Sequence, residues 1–123
     1  MENKIEYKLD APHGIFFKYY YGDIYLEDLE SSWEDIIKKK LIPSTIKKFI
    51  LDYRQANIRF DTSKAAAIVR FYVTHDQIFS HSKIALIMEK PEQVVFPMLV
   101  EAEGVNFAVK PFYTIEAALE WLI

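Results

Sequence analysis

Two short apolar runs set the terms for this chain: Phe49-Ile50-Leu51 and Ile84-Ala85-Leu86-Ile87-Met88. Each is apolar on both sides of an extended backbone and too short for a buried helix, which predicts parallel strands covered on both faces. Parallel strands need a long connection, and the residues between the runs supply one. Asp61, Thr62 and Ser63 are helix-initiating types, and Ala65, Ile68, Val69 and Tyr72 follow at helical spacing. Lys48 to Ser63 thus holds a strand, the loop at its carboxyl end and a helix start, which is where open α/β sheets place functional groups.

The flanking segments extend this unit. Ile5, Tyr7 and Leu9 alternate with Glu6, Lys8 and Asp10, as expected of an edge strand with one buried face. Ala11-Pro12-His13-Gly14 predicts a turn that folds Ile15 to Tyr21 back antiparallel, with Gly22 ending this second strand. Leu26, Leu29, Trp33, Ile36 and Ile37 share one face of a first helix, acids occupy its first turn, and Lys38-Lys39-Lys40 fill its last. Strand three is expected to end near Asp52 or Tyr53, and helix two near Asp76. Pro91 opens a third helix with Val95, Leu99 and Ala102 inward, Pro97 as a kink and Gly104 as its stop. A last strand over Asn106 to Lys110 precedes a closing helix capped by Thr114, with Ile115, Ala118, Leu119 and Leu122 inward.

The expected architecture is a single α/β domain over residues 1–123, in the order β-β-α-β-α-β-α-β-α. Its mixed five-stranded sheet begins with an antiparallel hairpin strand at the edge and continues in parallel β-α repeats. If sequence neighbours are also sheet neighbours, successive right-handed crossovers all pass over one face. The other face then needs cover, and a second copy of the chain is one candidate.

Composition narrows the function. Fifteen Lys and Arg against eighteen Asp and Glu give a net charge of −3 with both signs interspersed, so no basic stripe suggests nucleic acid. The chain has no cysteine, which excludes disulfides and thiol chemistry and suits a reducing cytoplasm. No apolar run is long enough to enter a bilayer as a span. His13, His75 and His81 lack metal-ligand spacing, and Gly14, Gly22 and Gly104 are isolated, so neither a metal, a phosphate loop nor another cofactor is expected. No nucleophile with its base can be read, so the expectation is a non-enzymatic protein. Eight Tyr and nine Phe exceed what one small core absorbs, which points to a partner, a second copy or a ligand.

Two places carry candidate sites. Asp52 and Arg54 fall on one side of a strand end, where the arginine fork either pairs with Asp52 or clamps an anionic ligand. Thr62 and Ser63 either cap helix two or stand where a phosphoryl group would meet the free N–H groups of a helix start. Asp61, Lys64, Arg70 and Phe71 complete the candidate ligand or partner surface, and Tyr19, Tyr20, Tyr21, Phe71 and Tyr72 could line an apolar pocket.

The order of elements resembles the STAS domain family, the fold of bacterial anti-sigma-factor antagonists, particularly its small stand-alone STAS-like members. Three local patterns carry the resemblance: Leu51-Asp52-Tyr53-Arg54-Gln55-Ala56, Asp61-Thr62-Ser63 and Ala117-Ala118-Leu119-Glu120-Trp121-Leu122. It implies a sheet flanked by helices, protein-partner binding through the helix-two region and no catalytic machinery. Antagonists of this family carry Asp-Ser-Ser-Gly at the corresponding helix start, and a kinase phosphorylates the second serine to switch off partner binding. The matching residues here are Asp61, Thr62, Ser63 and Lys64, which keep the acceptor hydroxyl and put lysine where the family has glycine. A related branch binds lipids in an apolar pocket, which the aromatic content would permit.

Overall fold

The computed structural model describes residues 4–89, Met98 and 102–123. Five strands form one sheet in sequential order: β1 (Ile5–Asp10), β2 (Ile15–Ile24), β3 (Lys48–Ile58), β4 (Lys83–Ile87) and β5 (Ala108–Phe112). β1 and β2 are antiparallel, and the pairs β2–β3, β3–β4 and β4–β5 are parallel, as the sequence predicts. Among the described residues, helices run over α1 (Leu26–Lys38), α2 (Ala65–Thr74), the single turn α3 (Asp76–Phe79) and the closing α4 (Ile115–Leu122), and Met98 is also helical. The expected helix from Pro91 to its stop at Gly104, with its kink at Pro97, lies outside the described residues apart from Met98 and residues 102–104.

One face of the sheet presents Phe16, Tyr20, Phe49, Leu51, Tyr53, Ile84 and Leu86 to α1, α2 and α3, which contribute Leu29, Trp33, Ile36, Ile68, Val69, Tyr72 and Phe79. The connections from β2 to β3 and from β3 to β4 therefore do pass over one face. Aromatic rings dominate this core, with Trp33 edge-on to Phe79 at 5.1 Å and Tyr72 edge-on to Phe79 at 4.7 Å. Such offset contacts add to simple area burial. α1 starts where the Asp28 carboxylate accepts the Tyr25 backbone N–H at 2.8 Å, and it ends where Lys40 turns left-handed at φ 56°.

The opposite face does not wait for a second copy, which corrects the expectation drawn from the crossovers. α4 lays Ala118 and Leu122 against Ile15, Phe17, Ile50, Ala85 and Ile87. Because α4 follows the last strand, it is not a crossover, and the handedness rule leaves it free to cross to the bare side. Thr114 Oγ1 accepts the Ala117 N–H at 3.2 Å and fixes its start, the cap the sequence predicts.

Three strand boundaries differ from expectation. β2 continues through Gly22, whose positive φ of 71° lets the strand run on to Ile24. β3 continues beyond Tyr53 to Ile58 beside it, so Arg54 to Ile58 is strand and not loop. β5 lies two residues later than expected and contains Pro111, which an edge strand tolerates because its free side needs no N–H. At the other edge, Tyr7 and Leu9 stay 47% and 38% exposed, so the inner side of β1 is only partly covered.

Candidate functional site

The site grows out of an irregularity in β3. Tyr19 pairs with Asp52 and Tyr21 with Gln55, so a single β2 residue, Tyr20, faces Tyr53 and Arg54 together. This bulge takes one backbone N–H out of the ladder, and Asp52 receives it: Arg54 N donates to Asp52 Oδ1 at 3.0 Å. The Arg54 side chain then folds onto the same carboxylate, with Nε to Oδ1 at 3.0 Å and Nη2 to Oδ2 at 2.7 Å. Asp52 is buried while the Arg54 side chain is 41% exposed. These hydrogen bonds hold the Arg54 guanidinium above its ordinary range. Of the two readings of this pair, the internal ion pair is the one present, which engages one edge of the guanidinium.

Beneath the bulge, Tyr20 and Tyr53 stack at 4.2 Å, and burial pushes both phenols well above the usual tyrosine range. No closed apolar pocket opens beside them among the described residues. The apolar space bounded by Leu29, Tyr53, Ile58, Tyr72 and Met98 holds about 10 Å³, at the lower limit for one water. The larger space is an open groove of about 380 Å³ at the carboxyl ends of β3 and β4, bordered by Tyr53, Arg54, Asn57, Arg59, Met88 and Glu89. Arg59 is itself paired with Asp23 at 2.9 Å, and that hydrogen bond holds the Asp23 carboxyl below its ordinary value. Thus the tyrosines expected to line a pocket divide: Tyr20 and Tyr72 are core, whereas Tyr19 belongs to the opposite face.

Past β3 the chain reaches the candidate acceptor. Asp61 Oδ1 accepts the Ser63 backbone N–H at 2.9 Å and also the Ser63 hydroxyl, and these bonds lower the Asp61 carboxyl from its ordinary value. A 3₁₀ turn over Thr62–Lys64 follows, and α2 begins at Ala65. Ser63 does not cap α2: its hydroxyl donates to Asp61, whose carboxylate accepts at the start of the 3₁₀ turn that precedes the helix. Lys64 occupies the residue before α2, with no side-chain cap. Ala65, Ile68, Val69 and Tyr72 form the buried stripe predicted for α2, while Ser63, Lys64 and Arg70 are exposed. Phe71 is half-buried at the edge of the stripe, 4.6 Å from the His75 ring. Ser63, Lys64 and Arg70 thus lie along one segment, and Asp52 and Arg54 form a separate unit at the bulge.

Sequence reading missed Lys18, which is fully buried between the sheet and α1. Its Nζ donates to Ser32 Oγ at 2.6 Å and lies 3.9 Å from the Trp33 ring centre. Burial, with no carboxylate beside it among the described residues, holds the ammonium well below the usual lysine range. The signal was its position: it alternates with Phe16 and Tyr20, which point into the core. Among the described residues there is no group of three His, Asp or Glu arranged to hold a metal, and no helix is long and apolar enough to cross a membrane.

The architecture defines a SpoIIAA-like α/β fold, which is the fold of the STAS anti-sigma-factor antagonists. It is shared with the crystal structure of an uncharacterized protein of the DUF3478 family with a SpoIIAA-like fold from Shewanella loihica PV-4. The two superpose with a TM-score of 0.61 at 18% sequence identity, over 97% of this chain and 92% of that one. No family model matches the sequence, and no curated protein matches it.

Proposed function

We propose that this protein is a non-enzymatic, cytoplasmic regulatory module of STAS-like type that binds a protein partner through the Ser63 turn and the exposed side of α2. The observation that carries the reading is the Ser63 hydroxyl, exposed at the entrance to α2 and tied to Asp61. Phosphorylation would add about −1.5 to −2 charges beside a carboxylate, opposing the hydrogen bonds that shape the turn. Lys64 and Arg70 supply positive charge on the same segment, and Phe71 supplies a partly exposed ring. Adding a dianion there changes both the shape and the charge that a partner meets.

The test is affinity capture from lysate of the source organism with wild type, Ser63→Ala and Ser63→Glu. A partner retained by wild type and Ser63→Ala and lost with Ser63→Glu supports the switch. Identical partner sets for all three remove it. The groove beside Arg54 and Arg59 favours a second reading, the binding of a small anionic ligand. Native mass spectrometry of freshly purified protein tests this by a co-purified mass that disappears in Arg59→Ala.

A further inference from the structure

We propose that the open edge of β1 is a self-association surface, through which two copies pair antiparallel about a two-fold axis at Tyr7 and join their sheets into one.

The backbone presents the right groups. In an antiparallel pair, alternate residues exchange both hydrogen bonds with the neighbouring strand, and those between point their N–H and C=O away from it. Tyr21 N donates to Lys4 O at 2.7 Å, and the β1–β2 register continues this pairing through Glu6↔Tyr19 and Lys8↔Phe17. Ile5, Tyr7 and Leu9 therefore aim their backbone groups at the open edge, where no described strand meets them. Edge strands of this kind are normally blunted by charge.

The charges on β1, together with its length, instead favour one self-pairing. A two-fold axis through Tyr7 sets Tyr7 opposite its own copy, Ile5 opposite Leu9, Glu6 opposite Lys8 and Lys4 opposite Asp10. Shifting the axis to Glu6 sets Glu6 against Glu6 and Lys4 against Lys8. Shifting it to Lys8 sets Lys8 against Lys8 and Glu6 against Asp10. Like charges directly opposite destabilise a strand pair and unlike charges favour it, so the Tyr7 register is favoured over these two. Axes at Ile5 or Leu9 also set unlike charges opposite, Lys4 against Glu6 or Lys8 against Asp10, but pair fewer residues of β1. Lys4 and Asp10 already contact Asp28 and His13, so Glu6 and Lys8 carry the discrimination. The same register brings together the apolar side chains that α1 leaves half-exposed, Tyr7 and Leu9. Such an isologous contact closes after two copies. It uses nothing near Ser63 and stands or falls independently of the proposed switch.

The absence of cysteine makes the test direct. Tyr7→Cys places one thiol on the axis, where opposed Cα atoms of a hydrogen-bonded pair lie ~5.5 Å apart, within disulfide range. Under mild oxidation, Tyr7→Cys is expected to become a covalent dimer, whereas Val73→Cys, equally exposed on α2, is expected to stay monomeric. In sedimentation equilibrium, Glu6→Lys and Lys8→Glu should each weaken the wild-type dimer roughly tenfold by opposing like charges twice. The double variant E6K/K8E restores the unlike pairs and should restore the dimer. Far-UV circular dichroism establishes that each variant is folded. A monomeric wild type at millimolar concentration, a dimer indifferent to the single charge variants, or no cross-link through position 7 overturns the proposal.

Discussion

Asp52 takes three hydrogen bonds from one residue, Arg54: two from the guanidinium, at 3.0 and 2.7 Å, and one from the backbone N–H at 3.0 Å. The carboxylate thereby satisfies the donor that the β3 bulge leaves without a strand partner, and the arginine neutralises the carboxylate. The pair is first a device for accommodating the bulge, beyond which β2 and β3 resume regular pairing.

Removing the acceptor should therefore hurt more than removing the fork. Asp52→Ala leaves a backbone N–H and a guanidinium unsatisfied, and is expected to lower stability by about 2 kcal/mol. Arg54→Met keeps the backbone bond, and because the Arg54 head is partly solvated it should cost about 1 kcal/mol or less. Urea denaturation of the two variants checks the order. An equal or reversed effect would show that the bulge does not depend on Asp52.

Lys18 gives stability an unusual dependence on pH. Its folded pKa lies below the unfolded value of about 10.4, so between the two the unfolded chain binds more protons. Stability is then expected to rise with pH across that window and to stop rising above it. Around Lys18, β2 and α1 contribute Tyr20, Ser32 and Trp33, and the buried Tyr20, Tyr53 and Tyr72 titrate in the opposite sense at high pH. The wild-type curve minus that of Lys18→Met isolates the lysine. A difference curve flat from pH 7 to about 10 would contradict its neutralising burial.

At the Ser63 turn the expectation concerns Asp61. Its carboxyl is lowered first by the Ser63 hydroxyl, so Ser63→Ala should move its titration upward toward the ordinary aspartate range. The stabilising bond is present above the unfolded pKa and lost as pH falls through the folded one. Carboxyl chemical shifts followed by NMR between pH 2 and 6 read this directly. An unchanged Asp61 titration would mean that the hydroxyl does not hold the turn.

Gly22 tests the extension of β2. Its φ of 71° lies in the left-handed region, and an added Cβ would meet no atom within 4 Å, so strain alone opposes a side chain. Gly22→Ala should cost about 1 kcal/mol, measured by thermal or urea unfolding. No loss would indicate that the strand flattens there without penalty.

The fold was legible where side chains repeat without interruption. Ile84 to Ile87 is apolar on both faces and reads at once as a doubly covered strand, and Ile68, Val69 and Tyr72 read as one helical stripe. The i,i+2 spacing of Asp52 and Arg54 also foretold their pairing. Legibility failed where a residue is inserted. The bulge at Tyr53 and Arg54 shifts the alternation of Ala56 and Ile58, so the second half of β3 passes for a loop. Gly22 passes for a terminator because glycine usually ends a strand, whereas here it stays in register with Ala56 at a positive φ. The path of α4 to the opposite face was hidden because its apolar stripe fits either side of the sheet. Asp61 could have been separated from Ser63 on chemical grounds, since a carboxylate is the stronger acceptor for a backbone N–H.

If the Ser63 turn and α2 meet a partner, charge at Ser63 governs the meeting. This dependence is tested most directly by titrating the captured partner against wild type, Ser63→Ala and Ser63→Glu in isothermal calorimetry. Ser63→Ala should match wild type and Ser63→Glu should bind roughly tenfold or more weakly, a loss on the order of 1.4 kcal/mol. Equal affinity for all three would contradict it.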